Sequence, residues 1–309
     1  MTKRLMLTLL LCTALGVQAD TRLFYQPLNA DANLSPAQWR GIWRDSVANG
    51  VETLVVQWTR FGNEDFGGAA GWLATALREA DGQGLELILG LHYDPDYYRN
   101  LASRDDFSYY WHEQLSLGMQ QQRELLANWR LPVAGWYLPM ELDDWNFRER
   151  ERRVELRRQL HSFAQQLNRP LHLSAFTGGF LAPQVFAQWL DGLAGTGLEV
   201  WWQDGVGTAA LTPLVRLAYA TALPCRIGII RESFRQVSQE GQPFLALPST
   251  PATWPPCHPT AVFELRYRPW GKLLYDNQHG ASDPLAGRAS PLLMRPLPRL
   301  PVVSPAPLR

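Results

Sequence analysis

An apolar, strand-like segment that ends in carboxylates, residues 135–145, holds the side chains best suited to chemistry in this sequence. It reads Gly-Trp-Tyr-Leu-Pro-Met-Glu-Leu-Asp-Asp-Trp, so that Glu141 and two aspartates lie between tryptophans. A second strand-like segment, residues 226–232, also ends in a carboxylate, Glu232. Glycosidic cleavage usually needs two carboxyl groups, one to protonate the leaving oxygen and one to attack the anomeric carbon or activate water. Glu141 and Glu232 are therefore the candidate catalytic residues.

The retaining interpretation makes Glu141 the general acid and base and Glu232 the nucleophile. Asp204, which follows a third strand-like segment, is the leading substitute for Glu232. Each carboxylate also has a purely structural interpretation, as a helix cap, as the partner of a nearby arginine or, for Asp204, as part of an Asx-turn. Asp143 and Asp144 are expected to cap or orient neighbouring groups rather than to catalyse.

Strand-like and helix-like segments alternate eight times between residues 22 and 270. This alternation predicts a parallel sheet, and eight units in about 250 residues predict a (β/α)8 TIM barrel. A dinucleotide-binding sheet is disfavoured, because no G-x-G-x-x-G follows the first strand. The seventh unit is expected to be degenerate, since its connection is short and rich in proline. The predicted strands are residues 23–26, 53–58, 85–91, 133–139, 171–175, 198–202, 226–230 and 261–267, and the predicted helices are 36–49, 71–83, 110–129, 148–167, 183–194 and 212–222.

Polar or aromatic residues follow each predicted strand, where the active sites of such barrels lie. These side chains could hydrogen-bond to a sugar or stack on its ring, although a tryptophan in a barrel is at least as often a core residue. A histidine and an aspartate in an H-x-D pair lack further spaced ligands, so neither a metal site nor a cofactor is expected. The expected substrate-binding residues are Gln26, Trp58, His92, Tyr93, Asp94, Tyr137, Trp202, Gln203, Asp204, Tyr267 and Trp270.

The charge pattern argues against several partners. The chain has 29 basic and 29 acidic residues, so no overall field would attract nucleic acid or an anionic membrane. The basic and acidic residues at 148–153 alternate, which is typical of the solvated face of a helix. No G-x-S-x-G motif occurs, so a serine hydrolase is disfavoured. A neutral carbohydrate remains the expected partner.

The amino terminus predicts export. Residues 1–19 have two basic residues, a short apolar core and small residues before the end, as in a secretory signal peptide cleaved near Ala19. A barrel domain at 20–278 and a Pro- and Arg-rich, disordered tail at 279–309 are expected, in the periplasm or outside the cell, with no membrane-spanning segment. A disulfide between Cys225 and Cys257 is expected there, with two unpaired thiols as the alternative.

Three segments resemble a bacterial family catalogued as a domain of unknown function, number 4434, within the glycoside-hydrolase-like TIM barrels. They are Trp136-Tyr-Leu-Pro-Met-Glu-Leu, Trp202-Gln-Asp-Gly-Val-Gly and Arg231-Glu-Ser-Phe. The resemblance implies a sugar-active barrel with Glu141 and Glu232 in the positions of the acid/base and the nucleophile of many retaining glycosidases. Those enzymes usually have Asn before the acid/base, to hold the sugar 2-hydroxyl, whereas this chain has Met140. Either another residue such as Gln203 has that role, or the substrate and mechanism differ.

The sequence thus predicts an exported glycoside hydrolase that acts on a polysaccharide or oligosaccharide. The alternative is a non-catalytic carbohydrate-binding barrel that serves envelope or exopolysaccharide assembly. The two hypotheses differ in the geometry that they need, because hydrolysis requires Glu141 and Glu232 to face the same cleft.

Overall fold

The computed structural model describes residues 21–103, 106–195, 197–239 and 242–280. Its centre is a closed barrel of eight parallel strands, and their order around the barrel follows the chain, with the last strand paired to the first. This confirms the predicted (β/α)8 fold. The strands are β1 (Arg22–Tyr25), β2 (Thr53–Val56), β3 (Glu86–Gly90), β4 (Gly135–Asp143), β5 (Leu171–Phe176), β6 (Leu198–Gln203), β7 (Gly228–Glu232) and β8 (Thr260–Phe263).

Helices surround the barrel and begin at the signals that the sequence carries. Ser35, for example, caps the first helix by accepting a hydrogen bond from the Gln38 N–H, and a proline follows it at the first helical position. The helices are α1 (Pro36–Ala48), α2 (Trp72–Gly82), α3 (Tyr97–Ser103), α4 (Phe107–Glu124, continued by a π-helical turn at Leu125–Trp129), α5 (Arg150–Ala164), α6 (Pro183–Leu193), α7 (Pro213–Ala222) and α8 (Lys272–Gly280).

Alternate residues of each strand point to opposite faces, which divides the core into two layers. One set packs inside the barrel and the other packs between the strands and the helices. In β6, for instance, Trp201 lies inside and Trp202 lies outside. The strand residues of the inner cluster are Phe24, Val55, Ile88, Tyr137, Trp201, Ile230, Ala261 and Phe263. Any residue that keeps the inner phase at the carboxyl end of a strand therefore faces the barrel mouth.

The seventh unit is degenerate, as predicted. Its described residues contain no helix between β7 and β8, and instead Phe234–Gln236 pairs antiparallel with Ala246–Pro248. The connecting segment that follows, residues 249–259, runs along the outer layer, where Trp254 packs on Trp202 with ring centroids 5.7 Å apart. This segment also carries the predicted disulfide, which the structure confirms between Cys225 and Cys257, with Cα atoms 5.2 Å apart.

The predicted eighth strand was too long. It ends at Phe263, and Leu265–Tyr267 forms a 3-10 turn. Beyond Phe263 the chain turns into a buried ion cluster, in which the Arg266 guanidinium binds both the Glu264 carboxylate and Asp31, the latter at 3.2 Å. The same guanidinium donates to the Gln26 and Leu274 carbonyls, so this segment bonds to the side chains and carbonyls of its surroundings rather than to a neighbouring strand.

Two helices, α3 and α8, were not predicted. Helix α4 also starts before the expected residue 110, because the Asp106 side chain caps it by accepting from the Tyr109 N–H. The predicted signal peptide and residues 281–309 of the predicted tail lie outside the described residues. Within the described ranges, no helix has the length and apolar character needed to cross a bilayer.

Candidate active site

Glu141 reaches the barrel mouth from the end of β4. Its neighbours Met140 and Leu142 belong to the outer core, so Glu141 has the inner phase of the strand, like Tyr137. The pairing of β4 with β5 shifts register between Leu138 and Leu142, which places an irregularity beside Glu141. Only 2% of Glu141 is exposed. Met140, the residue that departs from the family pattern of retaining glycosidases, packs against the helices.

Side chains from the neighbouring strands hold the Glu141 carboxyl group. Gln203 Nε2 donates to Glu141 Oε1 at 2.7 Å and to Ser174 Oγ at 3.1 Å, and the Ser174 and Tyr137 hydroxyls are 2.7 Å apart. Burial raises the pKa of Glu141 to about 8, and the Gln203 amide donor and then the nearby Tyr98 hydroxyl oppose that rise. The carboxyl group therefore stays protonated to a much higher pH than an exposed glutamate would.

Glu232 ends β7 with the inner phase, like Ile230, and is 3% exposed. The Gly207 N–H donates to Glu232 Oε2 at 2.6 Å. Burial, followed by the negative charge of Asp204, raises the pKa of Glu232 to about 8, whereas the Gly207 and Thr208 N–H groups lower it. The charge of Glu141 raises this pKa further. That repulsion indicates that both carboxyl groups lie in the same part of the mouth.

Asp204 lies behind Glu232 and has the outer phase of β6. Its Oδ1 accepts from the Val206 N–H at 3.1 Å and the Glu232 N–H at 3.3 Å, and its Oδ2 accepts from Trp254 Nε1 at 2.9 Å. Burial raises its pKa. These three donors fix Asp204 between the end of β7 and the connecting segment, which favours a supporting role over that of a nucleophile.

Several expected substrate-binding residues do face the mouth or its floor. Gln26 has the inner phase of β1 and its Nε2 donates to Gln57 Oε1 at 2.7 Å. His92 is partly exposed, and burial lowers its pKa. Gln203 and Tyr137 belong to the hydrogen-bonded chain that ends at Glu141. Of these four residues, Gln203 and Tyr137 are linked to Glu141 by hydrogen bonds, whereas Gln26 and His92 share only the inner phase of their strands.

Other expected substrate-binding residues point away from the mouth, because they have the outer phase of their strands. Trp58 donates its indole N–H to the Pro27 carbonyl and stacks on Tyr93 at 5.5 Å. Trp202 is 1% exposed and packs on Trp254. We do not include Trp58, Tyr93 or Trp202 among the proposed ligand contacts.

The remaining expected contacts have structural partners. Asp94 Oδ2 accepts from the Tyr110 hydroxyl at 2.7 Å and from Asn100 Nδ2 at 2.9 Å. Tyr267 is largely buried beside Phe234, with ring centroids 5.3 Å apart. Trp270 packs against the outer core, under the guanidinium of Arg268. These placements do not support contact with a ligand in the mouth.

Asp143 and Asp144 orient the loops beside Glu141. Asp143 Oδ1 accepts from the N–H groups of Trp145 and Asn146 at 3.0 and 2.7 Å. Asp144 accepts from the Thr177 hydroxyl at 2.6 Å and from three backbone N–H groups of the loop after β5, those of residues 178, 180 and 181. Both aspartates thus have the geometry of orienting residues.

Four residues beside the glutamates are not among the expected catalytic and substrate-binding residues: Gln57, Tyr98, Phe176 and Trp254. Gln57 and Phe176 do lie at the ends of predicted strands, and their inner phase in β2 and β5 is a further signal that a count of alternate residues gives. Tyr98 comes from the unpredicted helix α3, and Trp254 comes from an irregular segment. No local pattern in the sequence indicates that those two side chains reach the site.

Comparisons with known proteins agree with this architecture. A crystal structure from Bacteroides thetaiotaomicron VPI-5482, described as that of a putative alpha-L-fucosidase, matches with a TM-score of 0.52 and 14% identity, over 83% of this chain and 90% of that one. This likeness shows the TIM-barrel fold. YbcH, an uncharacterized protein of Escherichia coli (strain K12), is 31% identical over 262 residues, which span 80% of this chain and 86% of that protein. The family described as "Domain of unknown function (DUF4434)" matches residues 21–258, and the chain therefore belongs to the DUF4434 family.

Proposed function

We propose that this protein is an exported glycoside hydrolase that cleaves an oligosaccharide or polysaccharide, with Glu141 as acid/base and Glu232 as nucleophile. One observation carries the proposal. Two buried carboxyl groups enter the barrel mouth from β4 and β7, and the charge of one raises the pKa of the other. Perturbed carboxyl groups that interact in a barrel mouth are typical of acid–base catalysis.

The surroundings of the two groups favour different protonation states. Two backbone N–H groups, from Gly207 and Thr208, point at Glu232 and stabilise its anion. Glu141 receives one neutral amide donor, and its Oε2 has no hydrogen-bond partner among the described residues. Because the two charges repel, the loss of the first proton makes the second harder to remove. We therefore assign the anion to Glu232 and the remaining proton to Glu141.

This assignment gives a balanced reaction. The Glu141 proton passes to the glycosidic oxygen while the bond from that oxygen to the anomeric carbon breaks, and the Glu232 carboxylate bonds to the anomeric carbon. In the second step water bonds to that carbon, its proton passes to Glu141, and Glu232 leaves as the carboxylate. In the inverting alternative, Glu232 instead takes the proton of a water that attacks directly. Proton NMR of the first-formed sugar anomer distinguishes the two.

Export is supported by the disulfide between Cys225 and Cys257 and by the predicted signal peptide. Disulfides persist in oxidising compartments such as the periplasm or the cell exterior. Expression of the full chain, followed by fractionation and amino-terminal sequencing, tests this part; a chain retained in the cytoplasm with residues 1–19 intact would contradict it.

The hydrolysis proposal is tested with a panel of neutral oligosaccharides and polysaccharides, scored by the release of reducing ends. We expect Glu141→Gln and Glu232→Gln to lower turnover of a sugar substrate by roughly 1,000-fold or more, with unchanged circular dichroism. Glu199→Gln is the matched control, because Glu199 lies at the opposite end of β6 and is half exposed. Full turnover in Glu141→Gln would overturn the assignment.

The rival is a carbohydrate-binding barrel without catalysis. It is favoured by the same pKa values, because two carboxyl groups with a pKa of about 8 would both be protonated near neutral pH and neither would be a nucleophile. Equal glycan binding by the wild type and Glu141→Gln, with no reducing ends released by either, would establish the rival.

A further inference from the structure

We propose that the sugar on the leaving-group side of the cleaved bond binds to an aromatic surface at the β4–β5 side of the mouth. This aromatic surface consists of Tyr98, Trp145, Phe176 and Phe180, all partly exposed. The inference rests on the proposed function, because Glu141 as the acid defines which side of the bond the leaving group occupies. The ligand that we infer is a pyranose whose C–H face lies on these rings.

The inner part of this surface is next to Glu141. Phe176 keeps the inner phase of β5, two residues after Ser174, and pairs in register with Asp143 of β4. Tyr98 of α3 lies beside it, with ring centroids 6.5 Å apart and an angle of 57° between the rings. Two tilted, partly exposed rings leave a concave apolar face, which suits the C–H face of a sugar.

The outer part is held in place by the loops. The rings of Trp145 and Phe180 meet edge to face with centroids 4.8 Å apart. Their backbone N–H groups donate to Asp143 at 3.0 Å and to Asp144 at 2.8 Å, respectively. The Arg148 guanidinium covers the Trp145 ring at 4.2 Å. Because both rings are fixed before a ligand arrives, little side-chain entropy is lost on binding.

Polar atoms without partners mark where the leaving oxygen would lie. The Tyr98 hydroxyl and Glu141 Oε2 are both buried, and neither has a hydrogen-bond partner among the described residues. Burial raises the pKa of Glu141, and the nearby Tyr98 hydroxyl opposes that rise, so the two groups are close together. A buried polar atom without a partner costs free energy, which a bound ligand can recover. A glycosidic oxygen and a sugar hydroxyl would satisfy both atoms.

The other side of the mouth has a different character. Gln26 and Gln57 bond to each other there through their side chains, and Glu232 receives backbone N–H groups. These polar groups suit the hydroxyls of the sugar that carries the anomeric carbon. This contrast predicts how the bound sugar chain is oriented. The leaving-group sugar lies on the aromatic surface beside Glu141, and the sugar under attack lies beside Glu232.

The first experiment measures binding to an array of neutral oligosaccharides of two to six sugars, in a Glu141→Gln background that cannot turn them over. Phe176→Ala in this background should weaken binding of the retained glycans by about tenfold. Phe244→Ala is the matched control, because this partly exposed ring packs on Phe234, beside β7, and should leave binding unchanged. Tyr98→Phe, which removes only the hydroxyl, serves as a second variant if Phe176→Ala fails to fold.

The second experiment uses the active protein and a glycosyl fluoride, whose leaving group is not a sugar. Phe176→Ala should raise KM for the oligosaccharide and leave kcat/KM for the fluoride unchanged. If glycans bind through Phe176 but no substrate is hydrolysed, the aromatic subsite stands and the hydrolase proposal fails. If hydrolysis is found but Phe176→Ala and Tyr98→Phe bind and turn over oligosaccharides like the wild type, the subsite is wrong. An array on which no glycan binds also overturns the subsite.

Discussion

Glu141 and Glu232 are buried to a similar extent, but different parts of the fold hold them. Glu141 is held by side chains of the barrel strands, from Gln203 through Ser174 to Tyr137. Glu232 is held by backbone N–H groups of the loop after β6 and, through Asp204, by Trp254 of the connecting segment. The strand network is part of the barrel framework, whereas the second set depends on irregular structure.

The degenerate seventh unit therefore still supports the site. The connecting segment replaces a helix, and two contacts fasten it, the Cys225–Cys257 disulfide and the hydrogen bond from Trp254 to Asp204. Sites on strands are held more rigidly than sites on loops. We therefore expect the disulfide to help hold the surroundings of Glu232 in place, whereas the barrel strands themselves hold Glu141. Changes near each glutamate should therefore have different consequences.

Substitution of the two glutamates should change activity more than any other substitution, and the choice of substrate should show which of them is the acid and which is the nucleophile. With a nitrophenyl glycoside, whose leaving group needs little protonation, Glu141→Gln should retain much of its kcat/KM, which reports the first step, while its kcat falls because the second step lacks its base. Glu232→Gln should lose roughly 1,000-fold or more in kcat/KM. With a sugar leaving group, both variants should be strongly impaired. Steady-state kinetics on the two substrate types measures this difference. Equal losses in both variants on the nitrophenyl substrate would mean that the two carboxyl groups have not been assigned correctly.

The next effect concerns the disulfide, which joins residues separated by 32 positions. Replacing Cys225 and Cys257 by Ser should lower the free energy of unfolding by about 3 kcal/mol, because the unfolded chain is less constrained. Urea unfolding measures the change, and a reductant should destabilise the wild type but not the double variant. Identical urea midpoints for the wild type and the double variant would show that the connecting segment is held without the disulfide.

A smaller effect is the pH dependence of stability. The pKa of Glu141 rises from 4.5 to about 8 on folding, because burial disfavours the anion. Its contribution to stability is therefore complete below pH 4.5 and is lost as the pH rises through 8. Glu141→Gln cannot ionise, so relative to wild type it should gain stability between pH 5 and pH 9, on the order of 4 kcal/mol. Melting temperatures measure the gain, with Glu199→Gln as control; a difference that does not change with pH would contradict the burial argument.

We expect the smallest changes in the pH dependence of activity. Each of the two hydrogen-bond networks should shift a different limb of the pH–activity profile. Gln203→Leu removes a donor that lowers the pKa of Glu141, so the basic limb should move to higher pH. Trp254→Phe removes a donor that favours the Asp204 anion, which weakens its repulsion of Glu232, so the acidic limb should move to lower pH. Shifts of kcat/KM with pH measure both, and movement of the same limb in both variants would mean that the networks are not separate.

The sequence predicted the framework well, because strands covered on both faces leave continuous apolar runs that are easy to recognise. The same reason explains why Glu141, near the end of β4, and Glu232, the last residue of β7, are easy to recognise as candidates, since both interrupt such runs. Trp58 and Trp202 also lie at the ends of predicted strands, but their strand phase points them toward the helices. A count of alternate residues along each strand indicates that direction.

The eight strands, their order along the chain and the pairing of Cys225 with Cys257 could be predicted from the sequence alone, which also offers Glu141 and Glu232 as candidates. Which polar groups surround each glutamate depends on the tertiary structure. Tyr98 reaches Glu141 from a short helix, and Trp254 reaches Asp204 from 50 residues away through a segment without periodicity. The physical reason is that strand formation follows a local apolar pattern, whereas a pKa depends on burial and on charges that only packing brings together.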